Sequence, residues 1–261
     1  MSAPATPSFF GATAAVARLA MLRTLRGRKL IVALAATVVV IAFPGVVALL
    51  GTDTEAAEVV KGGIDWGFFR LLVFLLPILF TSGAIGEEVE ARTLHFLAMR
   101  PVSRASIALG KYLVAAGAGL AVLWTGLILL HILGYATTPT AMIDQIPVTA
   151  RAGGAASLLL LAYSGICLLW GALVPEAAGM VAVVWLGFLE WFVALLPGVI
   201  RFLSLNHFAR ELGGIERAGW ADWVPDVELW ICATVVAGGW ILFTFLGILI
   251  VQVSELRFGK A

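Results

Sequence analysis

Charge is what this chain has least of. Asp, Glu, Lys and Arg make up 13% of its 261 residues, against 61% apolar. A soluble domain carries about a quarter charged residues, so the shortage excludes that class; mean hydropathy is +1.03. Cysteine occurs twice, at Cys167 and Cys232, in separate apolar stretches. Two distant thiols exclude a disulfide framework and make a poor metal site, and they read as inert core residues. The net charge of +1 gives no reason to expect nucleic acid as a partner. No internal repeat is detectable. A Walker A loop is absent, because Leu109-Gly110-Lys111-Tyr112 lacks both the earlier glycine and the Ser/Thr that would hold magnesium.

What the chain does have is six apolar stretches, at about 30–50, 66–86, 111–135, 153–174, 177–199 and 229–253. A spanning helix needs about 20 residues, and barrel strands would alternate in hydrophobicity, whereas these runs are apolar all round. The predicted fold is an all-α integral membrane protein, a single domain over 1–261. With the N-terminus inside, the inner segments hold Arg18, Arg23, Arg26, Arg28, Lys29, Arg92, Arg100, Arg104, Lys111, Arg257 and Lys260. The outer ones hold Lys61, Arg70, Arg151, Arg201, Arg210 and Arg217. The excess of inner cations predicts that both termini face the cytoplasm. The first apolar stretch exceeds the roughly 7–15 residues of a signal-peptide core and lacks a cleavage site, so no removable signal is expected.

Residues 1–8 read as a disordered tail. Over 9–29, Arg18, Arg23 and Arg26 accompany Phe10, Val16, Leu19 and Leu22, which predicts a helix lying in the bilayer interface; the alternative is a cytosolic extension of span one. Pro44 predicts a kink in span one. Span three pairs small residues at helical spacing, Ala115 with Gly119 and Gly117 with Ala121, so another helix can approach closely. Pro175 and Glu176 tip a very short turn between spans four and five. The outer segment after span five contains Phe202, Leu203, Asn206, His207 and Phe208, then Gly213-Gly214, and later Trp220 and Trp223 at headgroup level. It reads as short amphipathic or re-entrant helices.

The long charged passage on the inner side runs from Ile85 to Lys111. Leu94, Leu97 and Ala98 share one helical face. Glu87, Glu88 and Glu90 precede that helix and Arg100 follows it, each suiting the dipole at its end. Pro101 stops it, and Ser103, followed by Arg104, is a natural N-cap for span three.

In this passage Ile85, Glu88, Ala91, Thr93, Leu94, Leu97, Pro101, Val102, Ser103, Arg104, Ile107, Leu109, Gly110 and Lys111 form a pattern that resembles ABC-2-type transporter permeases. The patch Phe202–Phe208 with Gly213–Ile215 is similar to the outer loop of permeases from gliding-motility and nitrous-oxide-reductase maturation systems. One departure is Arg92, where the family usually has glycine before the Thr-Leu pair. The resemblance implies a permease domain without its own cofactor, in which residues 87–104 form a coupling helix that contacts an ATPase subunit. Its contact residues would be Glu87, Glu88, Glu90, Arg92, Thr93, Leu94, Leu97, Arg100, Pro101, Ser103 and Arg104. ATP and Mg would be bound by that partner, and a second permease subunit would complete the transporter, as a homodimer or heterodimer in the plasma (inner) membrane. Substrate export is the family tendency.

A rival reading uses the same loop. Glu87, Glu88 and Arg92 match E-E-x-x-x-R, a signature of intramembrane CAAX-type proteases, in which a carboxylate activates water with help from histidines. Phe202 and His207 are spaced five apart where that family has four, and His95, His131 and His207 are not predicted to converge. Glu190 is the one acid inside a span. Its insertion costs at least about 2.5 kcal/mol, which makes an intramembrane functional or translocation-path site one reading. The other is a boundary carboxylate that snorkels or pairs with Arg201 or Arg70.

Overall fold

A backbone in hydrocarbon has no water to bond with, so each apolar run must satisfy its own amides as a helix. The computed structural model describes residues 8–49, 56–84, 103–196, 199–215 and 227–253, and these are helical with no strand among them. Six helices are long and apolar enough to cross a membrane: α2 (Arg28–Leu49), α3 (Ala56–Ser82), α4 (Arg104–Gly134), α6 (Ile146–Leu173), α7 (Pro175–Phe192) and α9 (Leu229–Val253). Three shorter ones accompany them: α1 (Phe9–Leu25), α5 (Pro139–Asp144) and α8 (Leu205–Gly213). Successive spans alternate in direction, which gives the bundle a basic end, where α2 and α4 start, and a far end carrying α5 and the connection to α8.

Several boundaries differ from the hydropathy reading, each for a local reason. Helix α3 starts well before residue 66 because Glu58, Lys61 and Asp65 are absorbed into it. Helix α4 starts at Arg104 because the Ser103 hydroxyl accepts from the Ser106 amide at 3.2 Å and caps it. Helix α6 starts at Ile146, with Pro147 in its first turn, where a missing N–H costs nothing. The helical path of α7 ends by Leu195, and Leu196 is extended (φ −70°, ψ 142°), as the residue before Pro197 must be. Pro44 lies inside α2 without ending it. Parts of α3 (Gly63–Leu72 and Ile78–Ser82) and of α7 (Leu186–Phe192) are wound as π-helix, a rare form that concentrates at functional sites.

Helix α6 is the hub: 67% of its most apolar window is buried inside the chain, against 17% for α9. Its contact with α9 rests on glycine from both sides. A Cβ on Gly165 would meet the Thr244 backbone nitrogen at 3.0 Å, and one on Gly247 would meet the Leu169 nitrogen at 3.1 Å. The two backbones therefore approach as closely as small-residue packing permits. A polar relay crosses the same layer, with Trp240 Nε1 donating to Tyr112 Oη (2.7 Å) and that hydroxyl donating to the Leu161 carbonyl (3.0 Å). Of the small pairs on α4, Ala115 and Gly119 face inward, Gly119 against Leu160 and Leu76, while Gly117 and Ala121 are exposed. Cys167 and Cys232 are buried and free.

Helix α1 is separated from α2 by a break at Arg26 and Gly27 and packs chiefly on the base of α4, so it does not extend span one. Its apolar and cationic side chains interleave around the axis, with Phe10, Leu19 and Leu22 exposed beside Arg18 and Arg23, instead of forming two separate faces. Replacing Gly165 with leucine is expected to destabilise the protein by about 1–3 kcal/mol through overpacking. The fall in thermal midpoint in detergent measures it, and Gly154→Leu, on the exposed face of the same helix with open space around it, serves as the silent control.

Candidate functional site

Glu190 sits on the π-wound part of α7 with 5% of its surface exposed. It neither snorkels nor pairs with Arg70 or Arg201, because neutral donors surround it. Its Oε2 accepts from Tyr163 Oη on α6 (3.1 Å), Ser204 Oγ (3.1 Å) and the Asn206 amide (3.2 Å). Ser204 Oγ also lies 2.8 Å from the Glu190 carbonyl and caps α8, accepting from the Asn206 amide. The carboxylate thus occupies the N-terminus of α8, where unpaired amides and the helix dipole favour negative charge.

The depth of this cluster is set by its neighbours. Asn206 Nδ2 donates to the carbonyl of Phe69 (3.2 Å), at the midpoint of α3. Leu205 packs on Gly239, near the midpoint of α9. Helix α8 therefore begins deep within the bundle and rises to the far end, where Gly214 (φ 70°) ends it in the left-handed conformation that glycine adopts without strain. It is a re-entrant helix. Irregular backbone at this depth is tolerated only when enclosed by protein, and Leu205 through Ala209 are all buried. Of the outer-loop residues expected to act together, Asn206 enters the polar cluster. His207 instead packs at a tilt against Phe202 and Phe208 stacks on it, at ring centroid distances of 5.3 Å and 5.9 Å.

One turn further along α8, Arg210 Nη2 lies 2.7 Å from Asp65 Oδ1, and Arg70 Nη2 bonds Asp65 Oδ2 at 3.4 Å. Residues five apart come to one side of a helix where it is π-wound, so the local winding of α3 makes the Asp65–Arg70 pair. The Arg70 guanidinium also lies 4.0 Å over the Trp66 ring. Helix α8 is therefore clipped to α3 twice, through Asn206 and through Arg210.

At the basic end the structure describes the two margins of the expected coupling segment. Glu87, Glu88, Glu90, Arg92, Thr93, Leu94, Leu97, Arg100 and Pro101 lie outside the described residues; Ser103 and Arg104, both exposed, open α4. Lys111 spans the gap, its Nζ donating to the Ala84 carbonyl at 2.6 Å, so the end of α3 and the start of α4 are held together. Gly110 has a separate task. A Cβ there would stand 2.9 Å from the Thr13 carbonyl, so glycine is what lets α1 seat on α4. His131 binds Thr149 Oγ1 (2.8 Å) and the Met142 carbonyl (2.9 Å), tying α4 to α6 and α5.

Sequence reasoning singled out Glu190 and Asn206 but missed Tyr163, Ser204, Asp65 and Arg210 as their neighbours. A tyrosine within an apolar span needs a partner for its hydroxyl, which was the one signal pointing to Tyr163. A buried acid on a membrane-spanning helix, held by a tyrosine of α6 and by the cap and first turn of a re-entrant helix, fits a polytopic membrane protein of transporter type. A family model described as ABC-2 family transporter protein matches residues 24–189. The chain belongs to that family and is its membrane-spanning, permease component. No curated protein matches it at a significant level. Glu190 and the Ser204–Phe208 stretch lie just beyond the matched residues.

Glu190→Ala is expected to strand the buried Tyr163 hydroxyl, at about 1–3 kcal/mol for a group so stranded, and to leave Ser204 Oγ and the Asn206 amide with only their weaker local bonds to the Glu190 carbonyl and the Ser204 hydroxyl. Hydrogen exchange of residues 204–213 would rise sharply, and Glu190→Gln, which keeps one acceptor oxygen, would raise it less. Equal protection in wild type and both variants would show that α8 is held by something else.

Proposed function

We propose that this chain is the permease subunit of an ABC exporter in the plasma membrane, with the basic end in the cytoplasm and ATP hydrolysed by a separate subunit docked on residues 87–104. The Lys111–Ala84 clamp is the observation that supports this reading. It joins the two margins of the segment, so a push on the segment is delivered to α3 and α4 together instead of spreading the loop. Helix α3 then carries the displacement inward through two π-wound stretches to Phe69 and Asp65, the points where α8 is attached. Release and re-formation of those attachments would open and close a route beside Glu190, as a shift between populated states driven by the ATPase cycle. A second permease copy or a sister chain would complete the route, and Gly117 and Ala121 on α4 offer a face where helices can approach closely.

A tagged chain drawn from its native membrane in mild detergent is expected to bring a Walker-containing ATPase in stoichiometric amount. Scrambling Leu94–Arg100 in a stably inserted variant would release it. Recovery of the intact chain alone, in several detergents, would overturn the assignment. In the reconstituted complex, Glu88→Lys, Arg104→Glu and Lys111→Met are each expected to lower transport-coupled ATPase activity several-fold at unchanged membrane content. Unaltered coupling in all three would remove residues 87–111 from the force path.

A further inference from the structure

A cavity of about 490 Å³ lies at the basic end, between α1, the start of α2, the end of α3 and the start of α4. This is the size range of small-molecule sites. Four cations line it, Arg23, Arg28, Lys29 and Lys111, with no carboxylate among the described lining residues. The remaining wall is largely apolar and includes Val16, Leu19, Phe80 and Val114.

We infer that this cavity binds one anionic phospholipid, with the phosphate against Arg28 and its neighbouring cations and the upper acyl chains along the α1–α4 wall. Two features argue for a lipid over a soluble anion. The polar and apolar parts of the lining are contiguous, as a headgroup and its chains are. Leu19, which lines the cavity, and Leu22 and Leu25 on the same helix are large apolar side chains that are at least half exposed and need a hydrocarbon neighbour. Arg28 stands at the first residue of a membrane span, the depth at which a lipid phosphate sits. Basic pockets of this kind between helices on one side of a bundle suit anionic headgroups. The inference rests on membership of the membrane and not on the ATPase partner, so failure of one leaves the other standing.

The test is native mass spectrometry of the full-length protein, titrated with phosphatidylglycerol, phosphatidylcholine and inorganic phosphate. Wild type is expected to retain one phosphatidylglycerol in preference to phosphatidylcholine. Arg28→Gln should cut that preference about fivefold, as one cation near an anionic headgroup contributes. Arg18→Gln, on an exposed part of α1 that does not line the cavity, should leave it unchanged. Ala20→Trp, which fills the cavity while keeping every charge, should abolish retention, and this variant tests the site even if Arg28→Gln fails to insert. Equal retention of the two lipids, an equal loss in Arg18→Gln, or full retention in Ala20→Trp would overturn the proposal. Displacement of the lipid by inorganic phosphate at similar concentration would overturn the lipid assignment in favour of a soluble anion.

Discussion

A carboxylate placed in hydrocarbon must find donors, and the far half of this protein is organised around satisfying one. Glu190 draws a hydroxyl from α6, a hydroxyl from the cap of α8 and the Asn206 amide in the first turn of that helix onto a single oxygen. None of these partners is charged, so the node is held by geometry and not by charge pairing. An ion pair at that depth would tolerate drift of a long side chain, whereas a tyrosine, a serine cap and a backbone amide do not. Helix α8 is placed because its N-terminus has one position at which all three bonds close.

The π-wound stretches fit the same logic. In α7 the altered winding surrounds Glu190 itself; in α3 it surrounds Asp65 and Phe69, the two attachment points of α8. A π turn offsets the side chains and carbonyls that follow it relative to an α-helix, and here it is found in the helices that hold α8. The lower stretch of α3, Ile78–Ser82, ends beside the Lys111 clamp. One helix thereby touches both the margin of the proposed coupling segment and the re-entrant element that a force applied there would have to move.

How much of this could be read from the residues alone follows a physical division. Span number and helical class are written in composition, because every side of a membrane helix must be apolar. The Ser103 cap and the stop before Pro197 are local chemistry, legible within a few residues. The resemblance that pointed to the family rested on the loop, including Gly110 and Lys111, whose tasks are to admit α1 and to clamp Ala84; neither task is visible without the fold. Glu190 announced itself as costly, but its partners come from residues far apart in the chain, and no periodicity links Tyr163 to Ser204. Of the two readings open for it, the one that pairs it with Arg70 or Arg201 does not describe the contacts seen: its carboxylate bonds neutral donors, and Arg70 pairs with Asp65 on its own helix. The start of α3 was placed too late for a related reason: Glu58, Lys61 and Asp65 look like loop residues until their partners and depth are known.

The seat of α1 carries a consequence for biogenesis. Helix α1 rests on a surface made by residues around Gly110, two spans later in the chain. Until α4 has entered the bilayer, α1 has no protein to lie against and must wait on the lipid surface. Its exposed leucines and arginines suit it to that interval. Docking of α1 would then mark the point at which the first half of the bundle is complete, and a chain stalled before α4 would be recognisable by an unshielded α1.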